Sequence, residues 1–98
     1  MLPSSGLLAN VNRWRGQIGL EPVTEKDLEA IVQPLDLNGT KASLVDMTGA
    51  EPGSGKPSRT VVAMAAKAGR TWFYKMSGDV PVVEKEKETF INWVRKVT

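Results

Sequence analysis

Apolar residues recur at Leu7, Val11, Trp14 and Ile18, spaced four, three and four apart, while Asn10, Asn12, Arg13 and Gln17 fill the other sides. That periodicity predicts an amphipathic helix with one buried face. Ser4 or Ser5 is suited to cap its start, and Gly16 or Gly19 to end it. After Pro22, Thr24 followed by Glu25 and Asp27 forms an N-terminal capping pattern, and Leu28, Ile31 and Val32 continue it as a short second helix. Pro34 stops that helix, because proline has no amide proton and disfavours helical geometry in the residue before it.

The period then changes from helical to two. Past a turn at Asn38-Gly39, the runs Lys41 to Met47, Arg59 to Lys67 and Arg70 to Met76 predict three short strands. The last two are joined by Ala68-Gly69, the signature of a tight antiparallel hairpin whose glycine takes a positive φ. Strand alternation sends Trp72, Tyr74 and Met76 to one side of the sheet and Phe73 to the other. Val62 and Met64 likewise oppose Val61, Ala63 and Ala65, so the sheet is apolar on both faces and needs a layer on each. Three helices supply them, two on one face and one on the other. Between the first two strands, Thr48 to Ser58 is rich in Gly, Pro and Ser, which predicts a mobile loop over about 48–58.

The final element follows Ser77-Gly78-Asp79, with Asp79 placed to cap it and Pro81 suited to its first turn. Val83, Phe90, Val94 and Val97 form its apolar stripe, with Ile91 beside them. The run Glu84 to Glu88 is its solvated face, supported by Glu84–Lys87 and Lys85–Glu88 pairs. Arg95 and Lys96 suit the negative end of the helix dipole. The fold class expected is α+β: one domain over residues 1–98 in the order α-α-β-β-β-α, a three-stranded antiparallel meander packed by helices, with no internal repeat. Such a sheet leaves two open edges. The chain is therefore expected either to be a fragment of a longer chain that completes a larger sandwich, or to pair as an edge-strand homodimer.

Composition removes whole classes of chemistry. The 98 residues contain neither cysteine nor histidine, so disulfides, thiol nucleophiles, His-ligated metals and Ser-His-Asp triads are excluded. No cofactor or metal is implied. With 13 basic and 11 acidic residues the net charge is +2, too weak a bias to point to nucleic acid. The first ten residues lack the charged and long apolar regions of a signal peptide, and no apolar run approaches the ~20 residues of a membrane span. The expected address is the cell envelope or periplasm if the chain derives from an exported precursor, and the cytoplasm otherwise.

Four features carry possible chemistry. Ala50-x-x-x-x-Gly55-Lys56 approaches the phosphate-binding pattern G-x-x-x-x-G-K-S/T, yet Pro57 replaces the magnesium-binding hydroxyl and a strand follows where a helix is needed. It is expected to be a hairpin loop. Arg13-Trp14-Arg15 and the run Arg70 to Lys75 interleave cations with aromatics. Arg13, Arg15, Arg70, Trp72 and Lys75 are thus candidates to clasp an anion or single-stranded nucleic acid, although Trp14 and Phe90 fall on core faces. Among the carboxylates, Asp46 lies within a strand, where burial would raise its pKa and mark a carboxylate-dependent enzyme. Asn38-Gly39-Thr40 satisfies the glycosylation pattern but is above all a turn former.

The segments Leu7 to Leu20, Thr71 to Gly78 and Phe90 to Val94 together resemble the C-terminal half of an uncharacterised bacterial envelope-associated family of planctomycete and verrucomicrobial type, itself similar to the PsbP-like and DcrB-like α/β/α sandwich proteins. The resemblance implies a sandwich fold and carries no functional residue with it. The function expected is a non-catalytic module of a bacterial envelope protein that acts through a protein partner or the remainder of its own chain. Anion or single-stranded nucleic-acid binding and a small carboxylate-dependent enzyme are the alternatives.

Overall fold

Val61, Ala63 and Ala65 alternate with Val62 and Met64 along one strand, and both sets are buried. A strand apolar on both faces has to sit between two layers. The computed structural model, which describes residues 4–37, 39–67 and 69–97, builds those layers from α1 (Ser4–Gln17), α2 (Glu25–Ile31), β1 (Gln33–Leu37), β2 (Thr40–Ala50), β3 (Pro57–Lys67), β4 (Arg70–Gly78) and α3 (Val80–Val97). The fold is α+β, with α1 and α2 on one face of the sheet and α3 on the other. Val11, Trp14, Ile18 and Leu28 meet Val45, Met47, Val62 and Met64 on the first face. Val83 and Val94 meet Leu37, Leu44, Val61, Ala63 and Ala65 on the second.

The sheet has four strands, not three, in the order β1-β2-β3-β4 and antiparallel throughout. The added strand contains Pro34, opposite Ser43. Proline does end α2, as expected, but it is tolerated in an edge strand, where one face of the backbone has no ladder partner. Leu35 and Leu37 of β1 extend the cluster beneath α3, and the Arg95 Nε donates to the Asp36 carbonyl at 3.2 Å, tying the end of α3 to this strand.

The expected loop over 48–58 is also revised. β2 continues to Ala50 and β3 begins at Pro57, leaving a connection of residues 51–56 closed by Glu51 N–H to Lys56 carbonyl at 2.8 Å and Gly55 N–H to Glu51 carbonyl at 2.9 Å. The composition is that of a turn, but the flanking residues are held by the β2–β3 ladder from Thr48↔Arg59 to Ala50↔Pro57.

Local signals place the helices. Thr24 accepts from the Asp27 N–H, and the Asp27 carboxylate accepts in return from the Thr24 N–H, forming a capping box. α1 closes at Gly19 instead of Gly16, with the Leu20 N–H donating to the Arg15 carbonyl at 2.8 Å. Asn12 then holds the connection to α2, donating from its amide to the Val23 carbonyl at 3.1 Å and accepting from the Val23 N–H at 2.8 Å. α3 starts as the Asp79 carbonyl accepts from the Val83 N–H at 3.0 Å. Along it Val83 and Val94 are buried and Phe90 partly so, whereas Val97, expected in the apolar stripe, is exposed. The caps assigned to Ser4 or Ser5 fall on side chains outside the described set, as do Asn38 and Ala68 of the two turns; Gly69 has the expected positive φ of 76°.

Candidate functional site

A four-stranded open sheet offers two edges, and here they differ. β1 is five residues long and carries Pro34, features that blunt an edge against further pairing. β4 is nine residues long and has no proline. Every second residue of an edge strand turns its N–H and C=O away from the sheet. Among the described residues, β4 therefore presents a row of hydrogen-bonding groups with nothing paired to them in the sheet.

Aromatic side chains flank that row on both faces. Trp72 is 45% exposed on the α3 side and Phe73 42% exposed on the α1 side, while Trp93 of α3 is 50% exposed beside β4. These values matter because large apolar side chains of a monomeric domain normally bury far more. Each face also anchors its ring system. Trp14 meets Phe73 edge-to-face at 5.8 Å, and Tyr74 meets Trp93 in the same manner at 5.7 Å. Between α3 and β4 runs a shallow groove of about 380 Å³ lined by Met76, Glu86, Thr89, Phe90 and Trp93.

The five residues expected to form a basic-aromatic surface are not brought together. Arg70 and Trp72 share the α3 side of β4 with Tyr74, whereas Lys75 lies on the opposite side, where its Nζ donates to the Gln17 Oε1 of α1 at 2.7 Å. Arg15 is occupied in donating from Nε to the Glu21 carbonyl at 2.7 Å. Arg13 is exposed on α1. Phe73 and Trp93 join Trp72 in the exposed set. Trp93 lies off the Val83–Phe90–Val94 stripe, the one sequence signal that singles it out.

Asp46 meets a different environment from the one expected of an acid–base group. On β2 beneath α3, its Oδ1 accepts from the Arg59 Nε at 2.8 Å, while its Oδ2 accepts from the Arg59 Nη2 at 2.6 Å and the Lys87 Nζ at 2.8 Å. Lys87 thus turns to Asp46 and not to Glu84. The Arg59 guanidinium, aided by Lys87, holds the carboxyl below its usual range against the opposing push of burial. The pKa expected to rise is lowered. Asp46 is an acceptor, ionised at neutral pH, that fastens α3 to the sheet.

This lowering has a signed consequence for stability. A carboxyl whose folded pKa is depressed contributes stability that is complete above its unfolded value near 4 and is lost as pH falls through the folded pKa. Asp46→Asn is expected to cost about 2 kcal/mol at neutral pH, since it strips two partly buried cations of their anion. In denaturant titrations, the difference between wild type and variant should narrow steadily below about pH 4. A gap unchanged by acid would show that Asp46 contributes through its shape alone.

Among the described residues, no group of three or more Asp and Glu is arranged to hold a metal ion, and no helix is long and apolar enough to cross a membrane. Comparison of the chain with protein-family models, curated proteins and solved structures finds no match.

Proposed function

We propose that this chain is a non-catalytic interaction module that takes up an extended segment, from a protein partner or from the remainder of its own chain, along the free edge of β4. The supporting observation is the nine-residue edge strand with exposed aromatics on both sides of the sheet. Main-chain bonds to an added strand supply affinity without regard to side chains, and flanking pockets for alternate side chains supply selectivity. The envelope setting of such a module rests on the resemblance of Leu7 to Leu20, Thr71 to Gly78 and Phe90 to Val94.

The test is selection of nine-residue extended peptides from a random display library against the immobilised chain. Enriched peptides are expected to share alternating apolar positions. Their amide shift changes should be confined to β4 and the facing turns of α3. Enrichment of peptides that map elsewhere would overturn the proposal. So would a single-stranded oligonucleotide that binds with a steep salt dependence and perturbs Arg13, Arg15 and Arg70 instead.

A further inference from the structure

The geometry points to a second copy of this chain as the occupant of the β4 edge, joined antiparallel across a two-fold axis midway between the two copies of Tyr74, so that two four-stranded sheets become one of eight. This inference rests on the edge-binding role proposed above and names its partner.

Symmetry restricts the arrangement. Two identical edges pair antiparallel only about an axis perpendicular to the sheet, which must run between the strands, midway between one residue and its own copy, and leaves both α3 layers on the same side. Tyr74 is the midpoint of Arg70–Gly78, so an axis there overlaps the full length of both strands. It sets Trp72 opposite the partner copy's Met76, Phe73 opposite its Lys75, and Arg70 opposite its Gly78. Directly opposed residues of an antiparallel pair project to the same face.

Three features of the chain then become complementary. Met76 forms one wall of the groove whose other walls are Glu86, Thr89, Phe90 and Trp93. The axis directs each copy's exposed Trp72 indole to the other's groove, where the Glu86 carboxylate supplies an acceptor for the indole N–H. Arg70 arrives opposite Gly78, which has no side chain to block its reach towards the same Glu86. Neither Arg70 nor Glu86 has an ion-pair partner among the described residues, and the two-fold axis makes this charge match twice. Phe73 meets the alkyl stem and ammonium of Lys75, an aromatic–cation contact in place of a like-charge clash. At a net charge of +2 per copy, long-range repulsion opposes association only weakly.

Sedimentation velocity over a wide concentration range, run on wild type, Trp72→Ala, Arg70→Glu, Glu86→Arg and the double exchange Arg70→Glu with Glu86→Arg, tests the pairing. The wild type is expected to be a dimer. Trp72→Ala should weaken it by roughly tenfold or more, as expected for a central aromatic anchor. Each single charge reversal should weaken it, and the double exchange should restore it. Circular dichroism distinguishes dissociation from misfolding, and the solvent-exposed side chains of Trp72 and Arg70 leave the monomer's core intact.

A wild type that stays monomeric at every concentration would overturn the second copy as occupant, as would a dimer indifferent to Trp72→Ala and to the charge exchange. Edge binding itself has a separate readout. Library peptides that map to β4 of a monomeric chain would sustain it with a different partner. Failure of peptide selection together with a β4-independent dimer would remove both.

Discussion

Trp14→Ala is expected to lower stability by about 3–5 kcal/mol, the loss typical of emptying a large aromatic site in a packed core. Trp14 is 4% exposed and packs with Val11, Ile18, Val45, Met47 and Val62 between α1 and the sheet. It also holds the edge-to-face contact with Phe73, so the substitution should loosen β4 on that side. A domain of this size has only about 5–15 kcal/mol to lose, which puts the variant close to the unfolding threshold. Urea titration should show a lower midpoint at unchanged slope. Phe90→Ala, at a site the sequence pattern ranks equally with Trp14, is expected to cost less because Phe90 is only partly buried at the groove. Equal losses would contradict this account of the two clusters.

Gly49→Ala is the second large effect. The turn that closes α1 docks directly on the backbone of β2, where the Ala50 N–H donates to the Ile18 carbonyl at 2.8 Å. A Cβ on Gly49 would collide with that carbonyl oxygen and stand 3.0 Å from the Leu20 Cγ and 3.2 Å from the Ile18 carbonyl carbon. Backbone cannot rotate aside as a flexible side chain can, so α1 has to shift and surrender the bond. A loss of about 3 kcal/mol is expected, at the upper end of ordinary overpacking. Faster hydrogen exchange at the Ala50 amide should accompany it. Gly16→Ala is the matched control: nothing lies within 4 Å of its added Cβ, and it sits inside α1. There the helix should gain roughly 0.5–1 kcal/mol. A loss at Gly49 no larger than the change at Gly16 would contradict the close approach of the Ile18 carbonyl to position 49.

These effects differ in how far the chain's pattern announces them. Trp14 is recognisable as core because a spacing of three and four places it with Val11 and Ile18 on one helical face. Gly49 is not, since in sequence it opens a stretch of Gly, Pro and Ser that reads as a loop. Its role follows from the helix that lands on it. The β4 edge was half visible. Alternation correctly divides Trp72 and Tyr74 from Phe73, and the expected meander already leaves this strand at an edge, but only the position of α3 places Trp93 and the groove beside it. The basic-aromatic cluster fails for the same reason: Arg70 and Lys75 are near in sequence but of opposite parity in a strand, and so on opposite faces of the sheet.

What the sequence determined by itself is local and periodic. The helix faces, the Thr24 capping box, the β3–β4 hairpin at Gly69 and the demand for a layer on each face of the sheet all depend on residues a few positions apart. The tertiary structure decided everything that depends on register between distant segments. It made Pro34, besides a helix stop, part of an edge strand, because β2 offered a partner. It brought Arg59 and Lys87, 13 and 41 positions away, onto Asp46, converting a candidate acid into a fixed anion. Periodicity states which way a side chain faces. What it faces is set by the packing of whole elements, a long-range property that no single segment carries.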